Sequence, residues 1–137
     1  FLLTMRRLMR ERPELKIVAD QHGAPTWCRD LAEATAQVLS QIHASRFEDG
    51  DTQPWGIYHM SNAGETSWHG FAQAIQACDK CVESGSVARL LTIPSSEYPT
   101  PARRPLNSRL DNDKLHRTFG LRLQDWRTAL ALCMGAS

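Results

Sequence analysis

Tyr98-Pro99-Thr100-Pro101-Ala102-Arg103-Arg104-Pro105-Leu106-Asn107-Ser108-Arg109-Leu110-Asp111 is the stretch on which the reading of this chain turns. Each of its three prolines fixes its own φ and drives the preceding residue out of the helical region. Thr100 and Arg104 are thereby biased to extended geometry, which predicts a stiff, non-helical strap. Arg103 and Arg104 are set into it, with Asn107, Ser108 and Arg109 just behind. A rigid segment presenting guanidinium forks and small hydroxyls can hold a phosphate or a carboxylate. It can equally be a surface connection whose arginines pair with local carboxylates.

Outward from the strap, the chain has 137 residues, about one domain, enough to bury a core. Apolar residues make up 42% and charged residues 23%, an ordinary globular balance rather than that of a disordered tail. A net charge of +1 supplies no field to recruit nucleic acid or an anionic membrane. No apolar run approaches the ~20 residues of a spanning helix, and no signal peptide is visible. Cys28, Cys78, Cys81 and Cys133 lack the spacing of a secreted disulfide framework, which points to a reducing, cytoplasmic setting.

The chain opens on Phe1, inside a helical pattern with Leu2, Met5, Leu8 and Met9 on one side and Arg6, Arg7 and Arg10 mostly on the other. A start in mid-helix without an N-cap suggests a piece of a longer polypeptide. Pro13 ends this helix near Arg12. Leu15 to Ala19 reads as a short strand, and Asp20-Gln21-His22-Gly23-Ala24-Pro25-Thr26 as a compact polar turn. Thr26 is placed to cap a helix over 27–43 with Leu31, Thr35, Val38 and Ile42 on its inner face. A polar loop fills 45–54. Residues 56–61 are the best strand candidate in the chain, ending at the turn Asn62-Ala63-Gly64. Thr66 or Ser67 caps a helix carrying Trp68, Phe71, Ile75, Cys78 and Val82 that runs to Gly85. Residues 89–93 form a short strand, Asp111 caps a short helix stopped by Gly120, and Asp125 caps a last helix closed by Gly135. Alternating helices and strands make the class α/β.

Among candidate chemical motifs, Cys78-Asp79-Lys80-Cys81 invites a zinc or redox reading. Two further ligands at comparable spacing are missing, and the pair falls late in a helix rather than at its N-terminus. His22, His43, His59, His69 and His116 follow no ligand pattern. No P-loop, nucleophile elbow or dinucleotide fingerprint is present. The 137 residues contain no complete catalytic set.

Two motifs together go beyond composition. Asp20 to Thr26, followed by Asp30-Leu31-Ala32, resembles the Asp-Gln-x-Gly-x-Pro-Thr segment of the dTDP-4-dehydrorhamnose reductases. Residues 56–62 and Thr66-Ser67-Trp68 resemble the strand, turn and helix that follow it there. The strap resembles that family's C-terminal signature, and Asp125-Trp126-Arg127 with Ala129-Leu130 its final helix. The resemblance implies the C-terminal part of an extended short-chain dehydrogenase: the end of a Rossmann-type nucleotide domain, at about 31–82, and a small substrate-binding lobe, at about 13–30 and 83–137. It implies an NADPH- or NADH-dependent reduction of the 4-keto group of dTDP-4-dehydro-rhamnose, for dTDP-rhamnose and polysaccharide biosynthesis. The family's cofactor-binding glycine turn and Tyr-x-x-x-Lys pair fall upstream of the position matching Phe1, so no catalytic residue carries over. Gln21, Pro25, Thr26, Arg103, Arg104 and Ser108 become the expected substrate-binding residues. A dTDP-sugar and the remaining half of the same protein become the expected partners. No metal is expected, because Arg29 stands where some members place a magnesium-binding glutamate. Relatives with this fold also serve as non-catalytic regulatory subunits, which is the alternative reading.

Overall fold

The computed structural model describes residues 1–44, 54–79, 88–102 and 104–135. Helix α1 (Leu2–Glu11) ends where Pro13 follows, and its apolar face carries Leu2, Met5, Leu8 and Met9 inward. Strand β1 (Glu14–Val18) pairs in parallel with β4 (Arg89–Ile93), Leu15 opposite Leu90 and Ile17 opposite Thr92. Between them in sequence come β2 (His22–Gly23), α2 (Cys28–His43), β3 (Thr66–Ser67) and α3 (Trp68–Cys78). A 3-10 turn (Ser95–Glu97) leads into the strap, and α4 (Asp113–Phe119) and α5 (Trp126–Cys133) complete the order. The chain is therefore α/β, as its alternating pattern predicts.

The core forms two joined clusters. Met9, Leu15, Ile17, Ala72 and Ala88 pack where α1 and α3 cover the β1–β4 pair, while Ile75, Trp126 and Leu130 pack α3 against α5. Met5 touches both clusters and connects them. At the far end of α1, Arg6 and Arg10 reach the buried carboxylate of Asp79, at 2.8 and 3.4 Å. The basic face of the helix thus partly serves to pin α1 to the end of α3. Arg7 does pair with Glu11 in the open.

Several local expectations hold. Ser67 caps α3 by accepting from the Gly70 amide, Asp125 caps α5 by accepting from Arg127, and Gly120 stops α4 at φ 69°. Others are corrected. The strongest strand candidate, 56–61, joins no strand among the described residues. It runs without a ladder and is held by side chains: Lys114 donates to the Ile57 carbonyl, and Asn112 donates to the Ser61 carbonyl and hydroxyl. Its propensity is strand-like, but among the described residues no neighbouring strand completes a ladder. Thr26 does not cap α2. The N-cap is Trp27, and the Thr26 hydroxyl donates to the Ala24 carbonyl while accepting from the Asn62 amide. The buried face of α2 is Asp30 and Ala34, one residue round from the expected Leu31–Thr35 face, with Thr35 exposed. α3 ends at Cys78, and the expected stop at Gly85 lies outside the described residues, as does Cys81. Cys78 packs, half-buried, beside Ile75 and Trp126. The N-cap of α4 is Asn112 rather than Asp111, although the Asp111 carboxylate does accept from the Asp113 amide.

The rotation of α2 has a physical cause in Asn62, which is 1% exposed. Its Oδ1 accepts from the Trp27 amide at 2.9 Å, and its Nδ2 donates to Asp30 at 2.5 Å and to the Gln124 carbonyl at 3.0 Å. Gln124 Nε2 donates to both oxygens of the same carboxylate, at 2.9 and 3.1 Å. Asp30 must face this hub, because a buried carboxylate without donors is strongly disfavoured. The neighbouring backbone closes the junction, Ala63 donating to Gln124 and Trp126 donating to Ala63. Replacing Asn62 with leucine, similar in size but without polar atoms, strands the Trp27 amide and the Gln124 carbonyl and leaves Asp30 with the Gln124 side chain alone. The expected result is a loss of about 3 kcal/mol in urea unfolding, and an unchanged midpoint would contradict the role of the hub.

Candidate functional site

A cleft of about 620 Å³ opens between the polar turn, the start of α1, the start of α3 and α5. The turn forms one wall: Gln21, Pro25 and Thr26 all line it, together with His22, Gly23, Ala24, Trp27 and Cys28. Ser108 enters from the strap, and Phe1, Trp68, Phe71 and Trp126 supply an aromatic side.

The strap reaches the cleft through its backbone. His22 donates its amide to the Leu106 carbonyl at 2.8 Å, and Ser108 returns its own amide to the His22 carbonyl at 2.9 Å. Ser108 Oγ donates to that same carbonyl at 2.9 Å. Since His22 also pairs with Ser67 across β2 and β3, the strap forms a third line beside them. Gly23 permits this approach, because a Cβ there would stand 2.9 Å from Ser108 Oγ. Arg109 then ties the strap to Glu65 and to the Asn107 side chain. One of the strap's arginines, Arg109, thus pairs locally, while Arg104 is exposed. Arg104 is not part of the cleft lining. Arg103 lies outside the described residues.

Gln21 is held at both ends of its amide. Its Nε2 donates to Ser95 Oγ at 2.8 Å, and its Oε1 accepts from Trp68 Nε1 at 3.2 Å. Ser95 donates its own hydroxyl to Asp20 at 2.6 Å and also donates its amide to both Asp20 oxygens at 3.0 Å. The Ser95 hydroxyl and amide hold the Asp20 carboxyl below the usual carboxylate range, because they bond the charged form. Cleft residues not singled out in the sequence include Trp68, which read there as a helix-face residue and part of a family motif, and Phe71, which read as a helix-face residue. Their position in the first turn after a capping serine was the available signal. Among the described residues, no group of three or more histidine, cysteine or acidic side chains could hold a metal ion. Arg29 pairs with Glu33 and Asp30 is committed to Asn62 and Gln124. No helix among the described residues is long and apolar enough to cross a membrane.

Residues 1–137 match the family model described as the RmlD substrate binding domain. The chain belongs to that family. It is 51% identical over 137 residues to a dTDP-4-dehydrorhamnose reductase of Burkholderia thailandensis, covering 98% of this chain and 45% of the relative. With the Shigella flexneri dTDP-4-dehydrorhamnose reductase it shares 38% identity over 131 residues, 95% of this chain and 42% of that protein. The crystal structure of the Bacillus anthracis reductase in complex with NADP superposes with a TM-score of 0.78 at 30% identity, over 100% of this chain and 43% of that one. The Clostridium acetobutylicum reductase gives the same TM-score at 31% identity, over 95% and 41%. The chain thus spans less than half the length of these relatives, and its fold is that of a C-terminal part of a Rossmann-type reductase.

The Asp20–Ser95 contact makes a pH-dependent contribution whose sign follows from the lowered pKa. It is fully present above the unfolded carboxylate value of 3.8 and is lost as pH falls through the lower folded value. The stability difference between the wild type and Asp20→Asn is expected to be flat above about pH 5 and to shrink below about pH 4. Chemical denaturation across that range checks it, and a difference that grows on acidification would contradict the assignment.

Proposed function

We propose that this chain is the substrate-binding portion of an NAD(P)H-dependent reductase converting dTDP-4-dehydro-rhamnose to dTDP-rhamnose, in dTDP-rhamnose and polysaccharide biosynthesis. The observation that carries the reading is convergence. In a chain of this family, the turn carrying Gln21, Pro25 and Thr26 meets Ser108, distant in sequence, at one cleft. Two relatives are named for the reductase activity, and a Bacillus subtilis relative, 37% identical, is named for spore coat polysaccharide biosynthesis.

Within this reading Gln21, Pro25 and Thr26 shape the sugar-nucleotide cleft, Ser108 fastens the strap to its rim, and Arg103 and Arg104 meet the diphosphate. A proline-stiffened segment has little backbone freedom to lose on binding an anion, and the planar guanidinium fork is pre-organised for it. The residues present do not fit a nicotinamide cofactor cradle. The positive-φ glycine nearest a strand-to-helix turn is Gly64, and Asp125 and Trp126 fill the space beside it, with a carboxylate oxygen 2.6 Å from where a Cβ would stand. A phosphate would meet like charge there. Neither tyrosine, Tyr58 or Tyr98, is followed by a lysine four residues on. Hydride delivery and carbonyl protonation are therefore assigned to groups outside these 137 residues. A dTDP-sugar and the remainder of the same polypeptide are the corresponding partners.

We assign residues of about 13–30 and 83–137 to the substrate lobe and about 31–82 to the end of the nucleotide domain. Pairing of β1 with β4, and of β2 with the strap, supports the first grouping. The second is not a detached body, because α3 packs directly on β1 and β4. Free Cys28, Cys78 and Cys133 are in keeping with a cytoplasmic setting.

Two measurements test the proposal. Isothermal titration with dTDP should show binding, weakened about tenfold by Arg104→Ala through loss of a charge-assisted contact. Residues 1–137 alone, mixed with NADPH and the keto-sugar, should give no cofactor oxidation. Turnover by this chain, or an Arg104→Ala affinity equal to wild type, would overturn the corresponding assignment.

A further inference from the structure

Gln21 sits on the cleft with both ends of its amide engaged, Oε1 accepting from Trp68 and Nε2 donating to Ser95. A residue so committed acts by placing something else. What it places is the Trp68 ring, the first residue of α3 and 44% exposed at the cleft. Anchoring the indole N–H fixes the orientation of a side chain that would otherwise exchange rotamers at a helix start. The anchor is itself braced, since Ser95 is locked onto Asp20 by both its hydroxyl and its amide.

Trp68 begins a row of aromatic rings. Phe1 lies against it at 4.8 Å between centroids, Phe71 stacks on Phe1 at 5.5 Å, and Trp126 meets Phe71 edge-on at 5.8 Å. This wall is apolar in practice. The Trp68 N–H is spent on Gln21, and Trp126 Nε1 is buried. A planar base can lay its π-face on such a wall while its polar edge points away from the rings.

We propose that Trp68 is a stacking platform for the base of the bound nucleotide, and that Gln21 is its positioning residue. The assignment rests on the sugar-nucleotide reading above and divides the ligand by chemistry. The base goes to the aromatic wall, and the phosphates go to the strap.

Titration calorimetry of the protein with two probes, dTDP and inorganic pyrophosphate, tests it. Trp68→Leu is expected to weaken dTDP by about tenfold, the size of a base–aromatic stack, and to leave pyrophosphate unchanged. Trp68→Phe keeps a ring and should remain within about threefold of wild type for dTDP. Gln21→Leu frees the ring and should shift dTDP in the same direction as Trp68→Leu, again without touching pyrophosphate. That selectivity is what a merely structural defect would not produce, and melting temperatures of the three variants confirm that they fold. Equal dTDP affinity in Trp68→Leu and wild type overturns the proposal, as does a parallel loss of both probes. A wild type that binds pyrophosphate as tightly as dTDP also overturns it, while leaving the anion-binding strap standing. A wild type that binds neither overturns the sugar-nucleotide reading itself.

Discussion

The amide of Asn62, buried at the junction of α2, α5 and the segment that precedes β3, is the constraint on which the cleft depends. It accepts one hydrogen bond and donates two, and each reaches a different part of the chain: the Trp27 amide, the Asp30 carboxylate and the Gln124 carbonyl. Because a buried carboxylate must be surrounded by donors, Asp30 decides which face of α2 turns inward. The orientation of α2 in turn sets where Pro25, Thr26 and Trp27 stand, and these residues form a wall of the cleft. A polar network of this kind tolerates no half-measures, since removing one member exposes the others to the full cost of desolvation.

The strap depends on a different device. Its prolines stiffen it, but what locates it is the backbone exchange between His22 and the segment Leu106 to Ser108. Gly23 allows the approach and Ser108 completes it with its hydroxyl. At the other end, the 3-10 turn before the strap is clasped by Asp20 through Ser95. The polar turn between β1 and α2 therefore holds the strap on both sides of its proline-rich centre, leaving Arg104 outside the packed part and open to solvent. A rigid frame with an exposed cation suits anion capture better than an arginine paired at rest.

Much of this was legible beforehand wherever the cause is local. Pro13 stops α1, Ser67 and Asp125 cap their helices, Gly120 takes a left-handed conformation, and Arg89 to Ile93 forms the strand its pattern predicts. The stop and the caps depend on a neighbour within a few residues, and the strand also on its parallel pairing with β1. The errors share the opposite character. Residues 56–61 have strand-like composition but no ladder partner, because pairing needs a second strand that propensity does not supply. Thr26 looks like a cap, yet its hydroxyl is drawn away by a chain segment 36 residues distant. The expected inner face of α2 was one residue off because apolar periodicity cannot foresee a buried aspartate.

The sequence by itself determined the class, the helix ends at Pro13, Ser67, Gly120 and Asp125, the stiffness of Tyr98 to Asp111 and the family, since these follow from short-range sterics and from motifs read in order. Only the tertiary structure decided that Gln21, Pro25, Thr26 and Ser108 share one cleft, that Arg104 stands apart from its lining, and that Gln21 is committed to Trp68 and Ser95. The physical reason is that a side chain's hydrogen-bonding capacity is finite. Which partner takes it depends on groups up to 94 residues away, as between Asp30 and Gln124, and no local pattern encodes that choice.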